Sequence, residues 1–225
     1  MEIIAIVVIV TIVAYLIIML PRYINNKRIR SVTQLSRGTQ AERIMVLTLL
    51  HLGVAPEVIF HDLYVKKFSG EYSQVDLVVI TNVGVIVIEV KDYSGWIFGN
   101  GRDTRWTQVL AYGKQKYHFY NPVMQNNKHI VELKKKIKQN IPFYSVIVFY
   151  GDCELKNISL IPNGTYIAKS SRVADVLQSI LTENKAVKYT NMHEVISALG
   201  EAVQNGSNRE IRRQHIMTVR KQRFG

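Results

Sequence analysis

The stretch from Gln74 to Lys91 constrains the fold more than any other part of the chain. Two runs of Val, Ile and Leu flank Asn82, Val83 and Gly84, and β-branched residues dominate both runs. That pattern predicts two buried strands joined by a tight turn. Three charges interrupt the apolar runs: Asp76 near the start of the first, Glu89 and Lys91 at the end of the second. A turn centred between Asn82 and Val83 sets Asp76 opposite Glu89. Glu89 and Lys91, two residues apart, share one face of their strand.

Two carboxylates held that close repel each other unless a positive charge lies between them. A divalent cation is the usual solution, and oxygen donors favour Mg²⁺ or Mn²⁺. A lysine beside such an ion can orient or activate water, which is the equipment for hydrolysing a phosphodiester. Asp76, Glu89 and Lys91 are therefore the first catalytic candidates, with Asp76 and Glu89 as metal ligands. Gln74 enters the hairpin two residues before Asp76 and on the same face. It can bond a metal-bound water or a phosphate; a polar strand edge explains it equally well.

The chain has 225 residues, enough for one domain with a real core. Its formal net charge of +12 points to a polyanionic partner, either nucleic acid or an anionic membrane surface. Lysines crowded on helices for solubility are the plainer explanation. Cys153 is the single cysteine, which excludes an internal disulfide and a cysteine-based zinc site. The sequence has no Gly-Lys-Ser/Thr phosphate loop, no Gly-x-Ser-x-Gly elbow and no His-Glu-x-x-His helix. Their absence sets aside the chemistries those motifs carry.

Ile3 to Leu20 is apolar throughout apart from Thr11 and Tyr15. About 18 residues at ~1.5 Å each span ~27 Å, close to the ~30 Å hydrocarbon core of a bilayer. A cleaved signal peptide wants Lys or Arg before the run and a small-x-small site after it, and neither occurs. Residues 1–21 are expected to form a transmembrane anchor, and residues 22–36 a basic juxtamembrane linker. Arg22, Lys27, Arg28, Arg30 and Arg37 follow the apolar run. By the positive-inside tendency the N-terminus faces outward and the rest of the chain is cytoplasmic. The cations from Arg22 to Arg37 are also placed to touch anionic lipid head groups.

A helix is expected from Thr39 to about Leu52. Thr39 and Glu42 match a capping box, while Glu42, Val46 and Leu49 share one face, so Glu42 is either a cap or an inward site residue. Strands are expected over Glu57–Tyr64, Trp96–Phe98, Phe143–Tyr150 and Thr165–Ala168, the third suited to a sheet centre. Gly99 to Arg105 reads as a loop, and Trp106 as core. Asn121 and Pro122 start a helix reaching about Gln139, as N-cap and first residue. Val123, Ile130, Leu133 and Ile137 form its buried stripe. Lys134, Lys135, Lys136 and Lys138 crowd its other side, which is either a solvated face or a phosphate-tracking one. Gln125 lies near the helix's free N–H groups, which attract anions. His129 has no partner at metal-binding spacing and reads as structural. Helices over Ser171–Leu181 and Asn191–Gln204 complete an α/β fold, a mixed β-sheet flanked by helices. Residues 205–225 read as a linker followed by a loosely ordered basic tail.

Gly38-Thr39-Gln40-Ala41-Glu42, Gln74-Val75-Asp76, Gly84-Val85, Ile88-Glu89-Val90-Lys91, Gly95, Trp106 and Asn121-Pro122-Val123-Met124-Gln125-Asn126 occur in that order. From about Gln34 to Gln139 the chain thereby resembles the nuclease-related domain, NERD. Asp76 with Glu89-Val90-Lys91 is similar to the Asp…(Asp/Glu)-x-Lys signature of the restriction-endonuclease-like superfamily. The resemblance implies that fold over residues 37–204 and a Mg²⁺-dependent nuclease. It implies that Asp76, Glu89 and the Val90 carbonyl hold the metal and that Lys91 positions or deprotonates the attacking water. It also implies that Glu42 adds a metal contact and that Gln125 touches phosphate or the attacking water. The expectation is a membrane-anchored, metal-dependent nuclease acting on nucleic acid, DNA ahead of RNA. The alternative is a catalytically silent, membrane-tethered nucleic-acid-binding or scaffolding module of the same fold.

Overall fold

A computed structural model describes residues 2–224. In chain order the first elements are α1 (Glu2–Ile29), α2 (Gln40–His51), β1 (Ile59–Lys66), β2 (Tyr72–Thr81) and β3 (Gly84–Asp92). Next come β4 (Gly95–Asn100), β5 (Arg105–Leu110), β6 (Gln115–Tyr120), α3 (Pro122–Ile137) and β7 (Phe143–Tyr150). β8 (Cys153–Ser159), β9 (Thr165–Lys169), α4 (Val173–Glu183), α5 (Met192–Asn205) and α6 (Arg209–Phe224) follow.

The hairpin forms in the expected register. β2 and β3 are antiparallel, with Thr81 opposite Gly84 and Leu77 opposite Ile88. Gly84 has a φ of 138° and lies against the Pro142 carbonyl, where a Cβ has no room. The hairpin sits inside a five-stranded sheet of order β1-β2-β3-β7-β9. β3, β7 and β9 are parallel, and β1 and β2 are antiparallel. Side chains alternate between two cores. Leu77, Val79, Ile86 and Ile88 pack with Met45 and Leu49 of α2 and Ile180 of α4. Val78, Ile80, Val85 and Val87 pack with Leu133 of α3 and Leu199 of α5. Burial on both faces explains why these strands read as continuous apolar runs.

A second sheet, of order β6-β5-β4-β8, extends the fold beyond the single sheet expected. Only β4 was legible in advance, because β5 and β6 mix polar and aromatic residues without apolar alternation. Trp106 locks this sheet to the first by stacking on Phe149 at 6.2 Å between ring centroids.

Three expectations need correction. Within the expected loose tail, Arg209–Phe224 form a helix, α6. Asn208 caps α6 by accepting from the Glu210 and Ile211 N–H groups, and His215 bonds the Tyr72 carbonyl. Arg37 does not belong to the lipid-facing flank, because it is buried in an ion pair with Asp62. At the other end, α1 runs through Pro21, so part of the expected linker continues the helix. Between Ile3 and Ile29, α1 is long and apolar enough to cross a membrane, and none of its most apolar window is buried in the protein.

Candidate functional site

The pairing of β2 with β3 ends at Leu77–Ile88, and the Asp76 carboxylate takes over from there. The Val90 N–H donates to Asp76 Oδ2 at 2.8 Å. Asp76 therefore stands beside Glu89 as expected, but fastened from side chain to backbone. On β3, Lys91 Nζ donates to Glu89 Oε1 at 2.5 Å and to Gln125 Oε1 at 3.0 Å. The second bond ties the first turn of α3 to the end of the hairpin. Asn126 fixes α3 there, its buried amide donating to the Val87 carbonyl and to Ser145 Oγ, each at 2.9 Å.

Burial drives the Asp76 carboxyl well above the usual carboxylate range, and the charges of Glu89 and Glu42 push the same way. Lys91 and the Val90 amide offset this only in part. For Glu89, burial also pushes upward, but Lys91 and His129 outweigh it and hold the carboxyl below its ordinary value. Burial lowers the Lys91 ammonium pKa, yet Glu89 and Asp76 overcome that and raise it. Lys91 and His129 thus favour the ionised form of Glu89, while burial and like charge disfavour that of Asp76.

Glu42 is both cap and interior residue. Its N–H donates to Thr39 Oγ1 at 3.2 Å, and the Thr39 hydroxyl donates to Glu42 Oε1 at 2.9 Å. Its Oε2 lies 3.3 Å from His61 Nε2, and His61 Nδ1 meets Thr33 Oγ1 at 2.9 Å. Burial raises the Glu42 carboxyl, but His61 and Thr39 outweigh it and lower it overall. Gly38, with a φ of 61°, makes this corner possible, since a Cβ would overlap the Glu42 carboxylate and the His61 ring. Glu42 therefore acts on Asp76 by charge while bonded to other partners.

Gln74 Nε2 lies 3.5 Å from Asp76 Oδ1 and donates to Asp62 Oδ1 at 3.2 Å. Asp62 in turn accepts from Arg37 Nε at 3.0 Å on its carboxylate and from Nη2 at 2.5 Å on its carbonyl. Asp76, Glu89, Val90, Lys91, Gln74 and Gln125 are thus brought together, with Glu42 to one side.

Sequence reasoning missed His129, His61, Asp62 and Arg37. His129, read as structural, has Nε2 at 3.5 Å from Glu89 Oε2 and Nδ1 at 3.0 Å from Ser73 Oγ. Its spacing of one helical turn from Gln125 was the available signal. Asp62 and His61 left none, because their roles depend on which strand lies beside β2.

Among the described residues, no three His, Cys, Asp or Glu side chains converge as a ready metal cage. Mg²⁺ is commonly held by one or two carboxylates with water completing its shell. Two observations fit a cation at Asp76 and Glu89. Glu89 Oε2 is buried, with His129 Nε2 3.5 Å away but no hydrogen bond formed. The Asp76 carboxyl is raised by burial and by the negative charges around it. A divalent ion would relieve both.

A family model described as the nuclease-related domain, NERD, matches residues 37–150, about half of the chain. An uncharacterised protein of Bacillus anthracis is 34% identical over 124 residues, which is 55% of this chain and 58% of that protein. The match thus spans less than two thirds of that relative's length. No solved structure matches the chain.

Proposed function

Because the chain belongs to the nuclease-related domain family, we propose that it is a metal-dependent nuclease hydrolysing the phosphodiester bonds of nucleic acid. The observation that carries this reading is the cluster of buried Asp76 and Glu89 with half-buried Lys91, onto which α3 delivers Gln125. Asp76, Glu89 and the Val90 carbonyl would hold Mg²⁺ or Mn²⁺, with Glu42 contributing through water. Such an ion supplies Lewis acidity at phosphorus and a bound water of lowered pKa.

Lys91, whose pKa is raised, suits orienting the attacking water better than taking its proton. Its fixed positive charge also favours the charge that develops on phosphate. Gln125 aims the Lys91 ammonium, and Gln74 sets the free oxygen of Asp76. In this reading α1 tethers the domain to a membrane, with the flank from Arg22 to Arg30 on the cytoplasmic, anionic-lipid side. DNA is placed ahead of RNA as substrate.

The test uses the full chain in detergent micelles with labelled DNA and RNA, in Mg²⁺, Mn²⁺ or EDTA. Metal-dependent cutting is expected, reduced by about 10²–10³-fold or more in Lys91→Ala and Asp76→Asn. Cutting that persists in EDTA, or a wild-type rate in either variant, rules the assignment out. One observation favours a second reading, a silent nucleic-acid-binding module. Lys91 pairs directly with Glu89, as a structural ion pair would. Nucleic acid bound but never cut, under any metal condition, would select it.

A further inference from the structure

From Thr104 to Val131 the chain contains no Asp or Glu. This acid-free stretch comprises β5, β6 and the first half of α3. β6 is an edge of its sheet. Lys116, His118 and Tyr120 alternate onto one face of β6, and all three are exposed. Arg105 is the cross-strand partner of Tyr120. Thr107, the partner of His118, meets its Nδ1 at 3.1 Å and so sets the ring. From α3, Lys128 Nζ lies over the Tyr120 ring at 4.7 Å from its centroid. Lysine on an edge strand guards against unwanted strand pairing. Edge protection gives no reason for the exposed His and Tyr rings.

On the other face of β6, Gln115 and Tyr117 are exposed and Phe119 is partly buried. Phe119 packs on Tyr93 at 4.7 Å between ring centroids, and Tyr93 follows Lys91 by two residues. Directly after Tyr120, α3 begins and sends Gln125 to Lys91. β6 therefore leads in sequence straight into the helix that carries Gln125 to the site.

We propose that this face, with Arg105 and Lys128, binds single-stranded nucleic acid and leads it to the Asp76–Glu89–Lys91 site. The proposal rests on the nuclease reading for the fate of the strand, and not for its binding. Rings two residues apart on a strand stand ~6.8 Å from each other, twice the ~3.4 Å spacing of stacked bases, so one unpaired base fits between His118 and Tyr120. A base inside a duplex already has both faces covered. The cations around the rings pair with phosphates, and no acidic residue within the stretch opposes them.

The test is fluorescence anisotropy with the full chain in detergent micelles. Labelled single-stranded DNA, single-stranded RNA and duplex DNA are compared in EDTA, where a metal-dependent reaction cannot consume them. Tighter binding of a single strand than of duplex is expected, and the two single-stranded arms identify the sugar. Tyr120→Ala should weaken that binding about tenfold, while Tyr120→Phe retains it. Lys116→Ala should shallow the salt dependence by about one counterion. Equal binding of duplex and single strand by the wild type, or unaltered binding by Tyr120→Ala, overturns the proposal. Tyr120-dependent binding without cleavage in any metal would sink the nuclease reading and leave this surface standing. Metal-dependent cleavage with Tyr120-independent binding would do the reverse.

Discussion

Asp76 is buried beside Glu89, feels the charge of Glu42, and keeps its place through the Val90 amide. Its carboxyl is raised in the folded chain, so the folded state binds a proton more tightly than the unfolded one. The stabilisation from that proton is complete below the unfolded pKa of about 4 and is lost as pH rises through the raised folded value. At neutral pH without metal, Asp76→Asn should therefore melt higher than the wild type, by a few degrees. The gap should close as pH falls toward 4, where Asp76 is protonated in both states. Millimolar Mg²⁺ should raise the wild-type melting temperature and leave Asp76→Asn unmoved. Thermal denaturation across pH, with and without Mg²⁺, checks all three statements. A variant that melts lower than the wild type throughout would contradict the raised carboxyl.

At the scale of elements, the segment between α1 and α2 is part of the site's support. Thr33 bonds His61, which faces Glu42. Arg37 grips Asp62 on β1 and donates to the Val203 carbonyl of α5 at 2.9 Å. Asp62 then holds Gln74, which touches Asp76. Removing Arg37 leaves Asp62 as a buried, unpaired charge, at a cost of about 3–5 kcal/mol. Arg37→Ala should thus lower the melting temperature by ~2–4 °C for each kcal/mol lost. Arg37→Lys should restore little, because one ammonium cannot supply the fork that serves four acceptors, Ser207 Oγ among them. Melting temperatures of the two variants decide this, and full rescue by lysine would show that charge alone matters.

The lysines of α3 show the same economy of local use. Lys136 pairs with Glu201 of α5 at 2.9 Å, and Lys134 lies over Phe143. Much of the cationic crowding on that helix is therefore spent on its neighbours, and the acid-free surface lies at the opposite, N-terminal end.

On the scale of the whole molecule, a sheet with helices on both faces carries the site at one end of its central hairpin, and one uncovered apolar helix precedes it. Ile3 is 78% exposed and Ile17 68%, a degree of exposure that a long apolar helix in water would not tolerate. Full-length protein should remain in the membrane pellet after alkaline washing, whereas a chain lacking residues 1–21 should move to the soluble fraction. Retention of the shortened chain in the pellet would assign membrane binding to another surface, with α6 the first to examine. Ile216 and Met217, each 50% exposed, lie there among arginines.

The sequence by itself determined the hairpin, its register, the shared face of Glu89 and Lys91, the caps at Thr39 and Asn121, and the apolar helix. Each depends on neighbours within a turn or a hairpin, where periodicity of 2 or 3.6 and local capping chemistry decide the outcome. Only the tertiary structure decided that His129 reaches Glu89, that Arg37 is a buried support and not a lipid contact, and that a second sheet exists. Those pairings join residues distant in sequence: 25 residues separate Arg37 from Asp62, and 56 separate Ser73 from His129. The packing of α3 and β1 against the hairpin creates them. α6 escaped notice for a related reason: its arginines read as a disordered tail until Asn208 and Tyr72 gave the helix a cap and a seat.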